Sequence, residues 1–176
     1  MFDGDNWSVM TSNSDAPLRA IWGSATDDVF AVSSDGAILR FNGASWGGVP
    51  SGTEARLDSV WGLGPSDVYA VGEDGTILRF DGESWSPMES GVDDSALRDI
   101  VGFSASELVV IYSGGFLLGN GIGWRPEPLE IGHYDFNTWT PLVTTGRETI
   151  EQILALGPRE AFARTRDRIF HLRVPD

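Results

Sequence analysis

The stretch VWGLGPSDVYAVGEDGTILRFDGESW, residues 60–85, repeats without a gap the pattern of IWGSATDDVFAVSSDGAILRFNGASW, residues 21–46. Equivalent tryptophans, such as Trp22 and Trp61, are separated by 39 residues. A fixed period of this length is typical of proteins built from stacked structural repeats. The chain therefore contains at least two copies of one folding unit.

Each copy consists of short segments with period-two hydrophobicity, separated by residues that favour tight turns. In the second copy, residues 67–71 and 76–80 are rich in β-branched and aromatic side chains, as strands are. Asp74-Gly75 and Asp81-Gly82 favour two-residue hairpins in which both central residues have positive φ. The pattern predicts four antiparallel strands per copy, which we call A, B, C and D in chain order.

Weaker copies extend the pattern over the rest of the chain. A third strand A begins at Leu97 and a fourth at Ile150, and Trp7 lies one period before Trp46. The sequence therefore predicts an all-β fold, a single β-propeller domain over residues 1–176 with four blades of four antiparallel strands. The predicted blades lie near 18–50, 57–90, 97–143 and 150–174. A D strand at 5–10 would complete the last blade and close the ring.

Six of the seven tryptophans fall at repeat positions, and we expect Trp22 and Trp61 to pack between neighbouring blades. When Trp139 is taken to open strand D of the third copy, an insertion falls between Tyr112 and His133. Trp124 and Arg125 lie in this insertion. We predict a protruding hairpin or loop there, with a binding or oligomer-contact role. A hairpin that only extends the blade is the alternative.

A second set of candidate binding residues comes from the loops. In a propeller the B–C and D–A loops share one face, which would gather five acids into an acidic rim: Asp35, Glu73, Asp74, Asp93 and Asp94. Simple turn formation is the alternative role of the Asp-Gly pairs. No segment has the alternating carboxylates of a dedicated calcium loop. We therefore predict no metal site, no cofactor and no catalytic residue.

Composition excludes several classes of function. The 176 residues contain no Cys, and all 12 basic residues are Arg, which excludes disulfides, thiolate nucleophiles and Schiff-base lysines. The net charge of −14 disfavours nucleic acid and anionic membrane surfaces but not cationic partners. No apolar run reaches the roughly 20 residues that span a bilayer, and no signal peptide is visible.

The repeat unit resembles a family of bacterial propeller repeats that are common in large exported proteins of myxobacteria. Those units have the pattern W-G, then D-V-[WFY]-A-V-G, then G-T-I-L-x-[FY]-D-G-x-x-W. The similarity is close over residues 18–90 and partial over 97–174. The repeats are distantly similar to photosystem II assembly factor propellers and to Asp-box propellers. The resemblance implies a propeller fold and an extracellular or cell-envelope location.

The leading functional hypothesis is a non-catalytic module that binds a protein or a carbohydrate through one face of the ring. The alternatives are a glycosidase-like, sialidase-type hydrolytic propeller and a structural spacer in a larger exported protein. An enzyme needs non-repeating ionisable groups at one site, whereas Arg40, Arg79 and Tyr69 recur with the repeat. Association as a homodimer and membership of a longer chain are both left open.

Overall fold

A computed structural model of the chain describes residues 6, 9–12, 14–105, 107–112, 115–119, 123–127, 130–134, 139–143, 151–157, 160–164 and 169–173. The secondary structure within these ranges consists of strands, all of them paired antiparallel. No helix among the described residues is long and apolar enough to cross a membrane.

The two close sequence copies form two equivalent four-stranded sheets. The first sheet contains β1 (Leu18–Ala25), β2 (Asp28–Ser33), β3 (Ile38–Phe41) and β4 (Trp46–Val49). The second contains β5 (Leu57–Gly64), β6 (Asp67–Gly72), β7 (Ile77–Phe80) and β8 (Trp85–Met88). The registers are also equivalent, because Trp22 lies opposite Phe30 as Trp61 lies opposite Tyr69. The predicted A, B, C and D strands are confirmed in both copies.

The tight turns lie at the predicted positions, but the B–C and C–D turns of the second sheet differ in backbone conformation. Asp74 and Gly75 both have positive φ, 54° and 63°, as a type I′ turn requires. At the C–D turn of the same sheet only Gly82 does, with φ 104°. There the Asp81 carboxylate accepts hydrogen bonds from the backbone N–H groups of Glu83 and Ser84, each at 2.9 Å. The side chain thus stabilises the turn with Asp81 in an ordinary backbone conformation.

The third sheet corrects the sequence prediction. It contains β9 (Leu97–Ser104), β10 (Glu107–Tyr112), β11 (Gly115–Gly119) and β12 (Trp124–Glu127). Trp124 lies opposite Gly119, as Trp85 lies opposite Phe80. The prediction that Trp124 and Arg125 belong to an insertion is therefore wrong, because they begin the fourth strand of a regular blade. This blade ends near Glu127 and not near 143. The extra residues form a separate hairpin of β13 (Glu130–Tyr134) and β14 (Trp139–Val143).

The fourth sheet has the three predicted strands A, B and C. These are β15 (Gln152–Gly157), β16 (Glu160–Arg164) and β17 (Ile169–Arg173), with β13 close to β17. Half of the predicted closing D strand, including Trp7, lies outside the described residues, and Asn6, Val9 and Met10 belong to no strand. Closure of the ring within one chain by the N-terminal segment therefore stays a prediction, and the described strands of the first and fourth sheets are not neighbours as those of consecutive sheets are.

Consecutive sheets pack face to face, and their A strands are neighbours in the order β1, β5, β9 and β15. Side chains such as Phe30 and Ile38 of the first sheet meet Leu57 and Phe80 of the second in one buried cluster. A second cluster joins the second and third sheets in the same way. The hydrophobic core of the first three sheets thus lies between sheets, as expected for propeller blades.

The tryptophans of strand A are part of this packing. A Cβ built on Gly62 would lie 2.7 Å from Cη2 of Trp22, so the indole ring rests on the glycine of the next sheet. The ring of Trp61 covers Gly102 of the third sheet in the same manner. The predicted position of Trp22 and Trp61 between blades is confirmed, with both side chains half-buried.

Candidate binding face

The B–C and D–A loops come together at one end of the sheets. In the second sheet, Gly75 N–H donates to the carbonyl of Ser95 at 2.7 Å, and Glu73 N–H donates to the carbonyl of Arg56 at 2.8 Å. These bonds tie one B–C turn to the D–A connections on both sides of it. We call the surface formed by the B–C turns (34–37 and 73–76) and the D–A connections (50–56 and 89–96) the loop face.

Three of the predicted acidic residues are neighbours on the loop face. Asp74, Asp93 and Asp94 are exposed. A Cβ on Gly75 would lie 2.9 Å from Cα of Asp93, so the turn that carries Asp74 packs directly on the connection that carries Asp93 and Asp94. None of these three carboxylates has an ion-pair partner among the described residues. The structure therefore brings them together as a ridge of unneutralised charge.

Asp35 occupies the equivalent turn of the first sheet but has a local role. Its carboxylate accepts hydrogen bonds from the Ser33 hydroxyl and from the Ala37 N–H, the latter at 3.2 Å. These bonds, that from Ser33 foremost, lower the pKa of Asp35. The side chain is exposed on the loop face, yet it stabilises its own turn, as the alternative interpretation of the Asp-Gly pairs proposed.

Trp124 and Arg125 do not join these residues. In each complete blade the tryptophan that opens strand D follows the C–D turn, at the end of the sheet opposite to the B–C turn. The register of β12 places Trp124 at that position. The two groups of predicted binding residues therefore belong to different ends of the sheets. The separation by one period from Trp85 was the sequence signal that identifies Trp124 as a repeat residue.

A row of charges on the A strands was not predicted. The residue after the first apolar position of each A strand alternates in sign, as Arg19, Asp58, Arg98 and Glu151. Arg19 donates to Asp58 across the first and second sheets at 3.0 Å. Alternation of sign at one repeat position is the sequence signal that could have revealed this row.

Arg56 connects the charge row to the loop face. Its guanidinium contacts Asp58 and Glu73, each at 2.9 Å. The hydrogen bond to Asp58 raises the pKa of Arg56, so the guanidinium stays charged. Arg19 and Arg56 thus neutralise Asp58 and Glu73, whereas Asp74, Asp93 and Asp94 have no ion-pair partner among the described residues.

The opposite end of the sheets carries a repeated ion pair. Arg40 donates to Asp28 at 2.7 Å, and Arg79 donates to Asp67 at 2.9 Å. The Arg40 guanidinium also lies 5.0 Å from the ring centre of Phe30 and 5.3 Å from that of Phe80. Recurrence in two blades and contact with core rings indicate a structural brace across each hairpin.

An open depression of about 520 Å³ lies beside the Asp28–Arg40 pair. Its lining includes Ser24, Asp27 and Asn42. Arg40 is already paired with Asp28, so the depression offers a ligand few unsatisfied charged groups. No cluster of three or more His, Cys, Asp or Glu with metal-binding geometry occurs in the part of the chain that the structure describes.

Comparison with protein families and with characterised proteins finds no match to this sequence. Solved structures do match the fold. YCF48 from Cyanidioschyzon merolae superposes with a TM-score of 0.66 at 13% identity, over 89% of this chain and 50% of that chain. The extracellular domain of BT4673 from B. thetaiotaomicron gives 0.64 at 15% identity, over 90% of this chain and 22% of that chain.

The WD40 β-propeller domain of Doa1 gives a TM-score of 0.59 at 11% identity, over 90% of this chain and 65% of that chain. The chain thus spans about half the length of the YCF48 chain that it matches. At these identities the likeness concerns the fold alone. Together with the antiparallel four-stranded sheets, it shows that the chain has the β-propeller fold.

Proposed function

We propose that the chain is a non-catalytic propeller module that binds a basic segment of a partner protein with its loop face. The observation that carries the proposal is the ridge formed by Asp74, Asp93 and Asp94, three exposed carboxylates without a cationic partner in the part of the chain that the structure describes. A cationic segment placed along this ridge would supply the missing counter-charges. Electrostatic complementarity of this kind speeds association and selects partners by charge.

Two further features support a basic ligand. Exposed acids at 35, 54 and 89 lie on the same loops, whereas Arg56 is engaged with Asp58 and Glu73. The loop face therefore has a net negative field, consistent with the charge of −14 for the whole chain. The backbone bonds from Gly75 to Ser95 and from Glu73 to Arg56 also hold the loops in place before binding. Such preorganisation lowers the entropy lost on binding.

A protein ligand is favoured over a carbohydrate by the composition of the loop face. Segments 34–37, 50–56, 73–76 and 89–96 contain no aromatic residue. Trp22, Trp61 and Trp85 pack against or within the core clusters and offer no stacking surface there. Small-molecule sites are lined largely by apolar and aromatic side chains around a few polar groups. An acidic ridge without aromatic side chains suits a protein segment better. An extracellular or cell-envelope location belongs to the same proposal and rests on the resemblance of the repeats.

Binding of a fluorescent polyarginine peptide, measured by polarisation at low ionic strength, tests this assignment. The double variant Asp93→Asn/Asp94→Asn should weaken binding by about fivefold, because each exposed pair contributes about 0.5 kcal/mol. The matched control Asp27→Asn/Glu83→Gln removes two exposed charges from the opposite end of the sheets and should leave binding nearly unchanged. Equal losses in both double variants would show that only the overall charge matters. Absence of binding by the unmodified chain would refute the proposal.

A further inference from the structure

The same interface occurs twice within the chain. In each case the A-strand tryptophan of one sheet rests on the strand-A glycine of the next, Trp22 on Gly62 and Trp61 on Gly102. The first residue of each of these A strands, Leu57 in β5 and Leu97 in β9, is fully buried against the preceding sheet. Each blade therefore has a leading face that covers the next blade and a trailing face that the previous blade covers.

The trailing face of the first sheet is open along its A strand. Leu18 and Ile21 are 46% and 65% exposed, although their equivalents Leu57 and Val60 are buried. Gly23, the equivalent of Gly62, is exposed, and the atoms closest to an added Cβ come from its own sheet. The outer part of this face is already covered, because Leu39 and Phe41 are buried. The open part is thus the strip along β1.

The leading face of the fourth sheet is open as well. Leu154 lies opposite Phe162, as Trp61 lies opposite Tyr69, so Leu154 holds the tryptophan position of its blade. It is 59% exposed. Ile169 occupies the position of Ile77, which is buried, and is 76% exposed. Two apolar residues of a blade interface are thus exposed on this sheet. Arg164, which follows Phe162 as Val71 follows Tyr69, is a charged exception on the same face and pairs with Glu151 at 2.8 Å.

We infer that the leading face of the fourth sheet docks on the trailing face of the first sheet in a second copy of the chain. In this arrangement Leu154 of one copy lies over Gly23 of the other, in the manner of Trp22 over Gly62. Ile169 meets the strip of Leu18 and Ile21. A second copy has the required surface, since the two open faces are repeat equivalents of faces that already pack on each other inside the chain.

Two further observations favour a second copy as the occupant. The alternating charge row ends with Glu151 in the fourth sheet and begins with Arg19 in the first, so head-to-tail docking continues the alternation of sign across the junction. Glu151 also pairs with Arg164 of its own sheet at 2.8 Å, as Asp58 pairs with Arg56 besides Arg19. The chain also superposes on about half of a longer propeller chain, so its sheets follow each other as successive blades of a larger ring do. Each copy has one open leading face and one open trailing face. Two copies can therefore satisfy both faces in a closed pair.

Light scattering coupled to size exclusion tests the inference. The unmodified chain should have twice the single-chain mass of 19.1 kDa, without further growth as its concentration rises. Ile21→Asp and Leu154→Asp each place a charge at both junctions and should yield single chains with unchanged circular dichroism. The control Leu63→Asp alters a leucine that is 41% exposed in the second sheet and should stay a pair.

Mixing the two variants distinguishes head-to-tail docking from symmetric pairing of like faces. A mixed pair of Ile21→Asp and Leu154→Asp has one junction with both substitutions and one with neither. We expect the mixture to recover association, at lower affinity than the unmodified chain. A folded single chain at every concentration would overturn the inference. So would a mixture that fails to associate, whereas a mass that grows with concentration would overturn closure by two copies.

Discussion

The contact between Trp22 and Gly62 predicts that one added methyl group at the glycine will weaken the packing of two blades. In Gly62→Ala the new Cβ would lie 2.7 Å from Cη2 and 2.9 Å from Cζ2 of the indole. Optimal carbon contacts are about 3.5–4.0 Å. The ring must therefore move by about 1 Å, and the carbonyl of Asp67 at 3.0 Å closes another direction of escape. Substitutions that overpack a core typically cost about 1–3 kcal/mol.

We expect Gly62→Ala to lower the free energy of unfolding by about 1–2 kcal/mol, because alanine restricts the unfolded chain and offsets part of the strain. Gly64→Ala is the matched control in the same strand, since a Cβ at Gly64 meets no atom within 4 Å. It should be neutral or slightly stabilising. Urea denaturation at one fixed protein concentration gives both values.

A double-mutant cycle identifies the ring as the cause. Trp22→Phe removes the Cη2 and Cζ2 atoms that the new methyl group would meet. In that background Gly62→Ala should cost about 1 kcal/mol less than in the unmodified chain, which is a coupling typical of residues in contact. The reasoning is refuted if Gly62→Ala costs no more than Gly64→Ala, or if its cost is the same in both backgrounds.

Three other outcomes are expected. The backbone hydrogen bonds from Ser84 and Glu83 lower the pKa of Asp81, so its stabilising contribution is present above about pH 4 and is lost as the pH falls through the lowered pKa. Asp81→Asn should remove this acid dependence in urea titrations while keeping stability near neutral pH, because Asn42 makes the same bonds at 3.0 Å in the first sheet. Burial raises the pKa of Tyr69 to about 12, and a spectroscopic titration of tyrosinate should lose that late step in Tyr69→Phe. Its contribution to stability is present below the ordinary tyrosine pKa of about 10 and is lost as the pH rises through the raised value. Arg40→Met should cost about 1–2 kcal/mol in thermal or urea unfolding by leaving Asp28 without its cation, and an unchanged stability would show that the pair is not a brace.

Local sequence chemistry predicted the fold of the first two blades almost completely. The alternation in segments such as 67–71 and the Asp-Gly pairs act over a few residues, and the 39-residue spacing of Trp22 and Trp61 is visible along the chain. All three signals can therefore be recognised without knowing the partner strands. The placement of Asp74, Asp93 and Asp94 on one face followed from the same strand order, because loops at one end of antiparallel strands share a face. The sequence alone thus supplied the blade, its turns and the acids of the loop face.

Tertiary structure decided between the two tryptophans that the repeat spacing allows in the third blade, Trp124 and Trp139, and it decided which charges are paired. Trp124 opens β12 because β12 pairs with β11, and that pairing depends on backbone hydrogen bonds between strands whose side chains diverge from the repeat. The salt bridge of Arg56 neutralises Glu73, whereas the adjacent Asp74 is exposed and has no ion-pair partner among the described residues. Likewise Ile21 and Val60 are equivalent in the repeat, but only Val60 is covered by a preceding sheet. Burial and charge pairing depend on which surfaces meet in space, and equivalent positions of the repeat have different spatial neighbours.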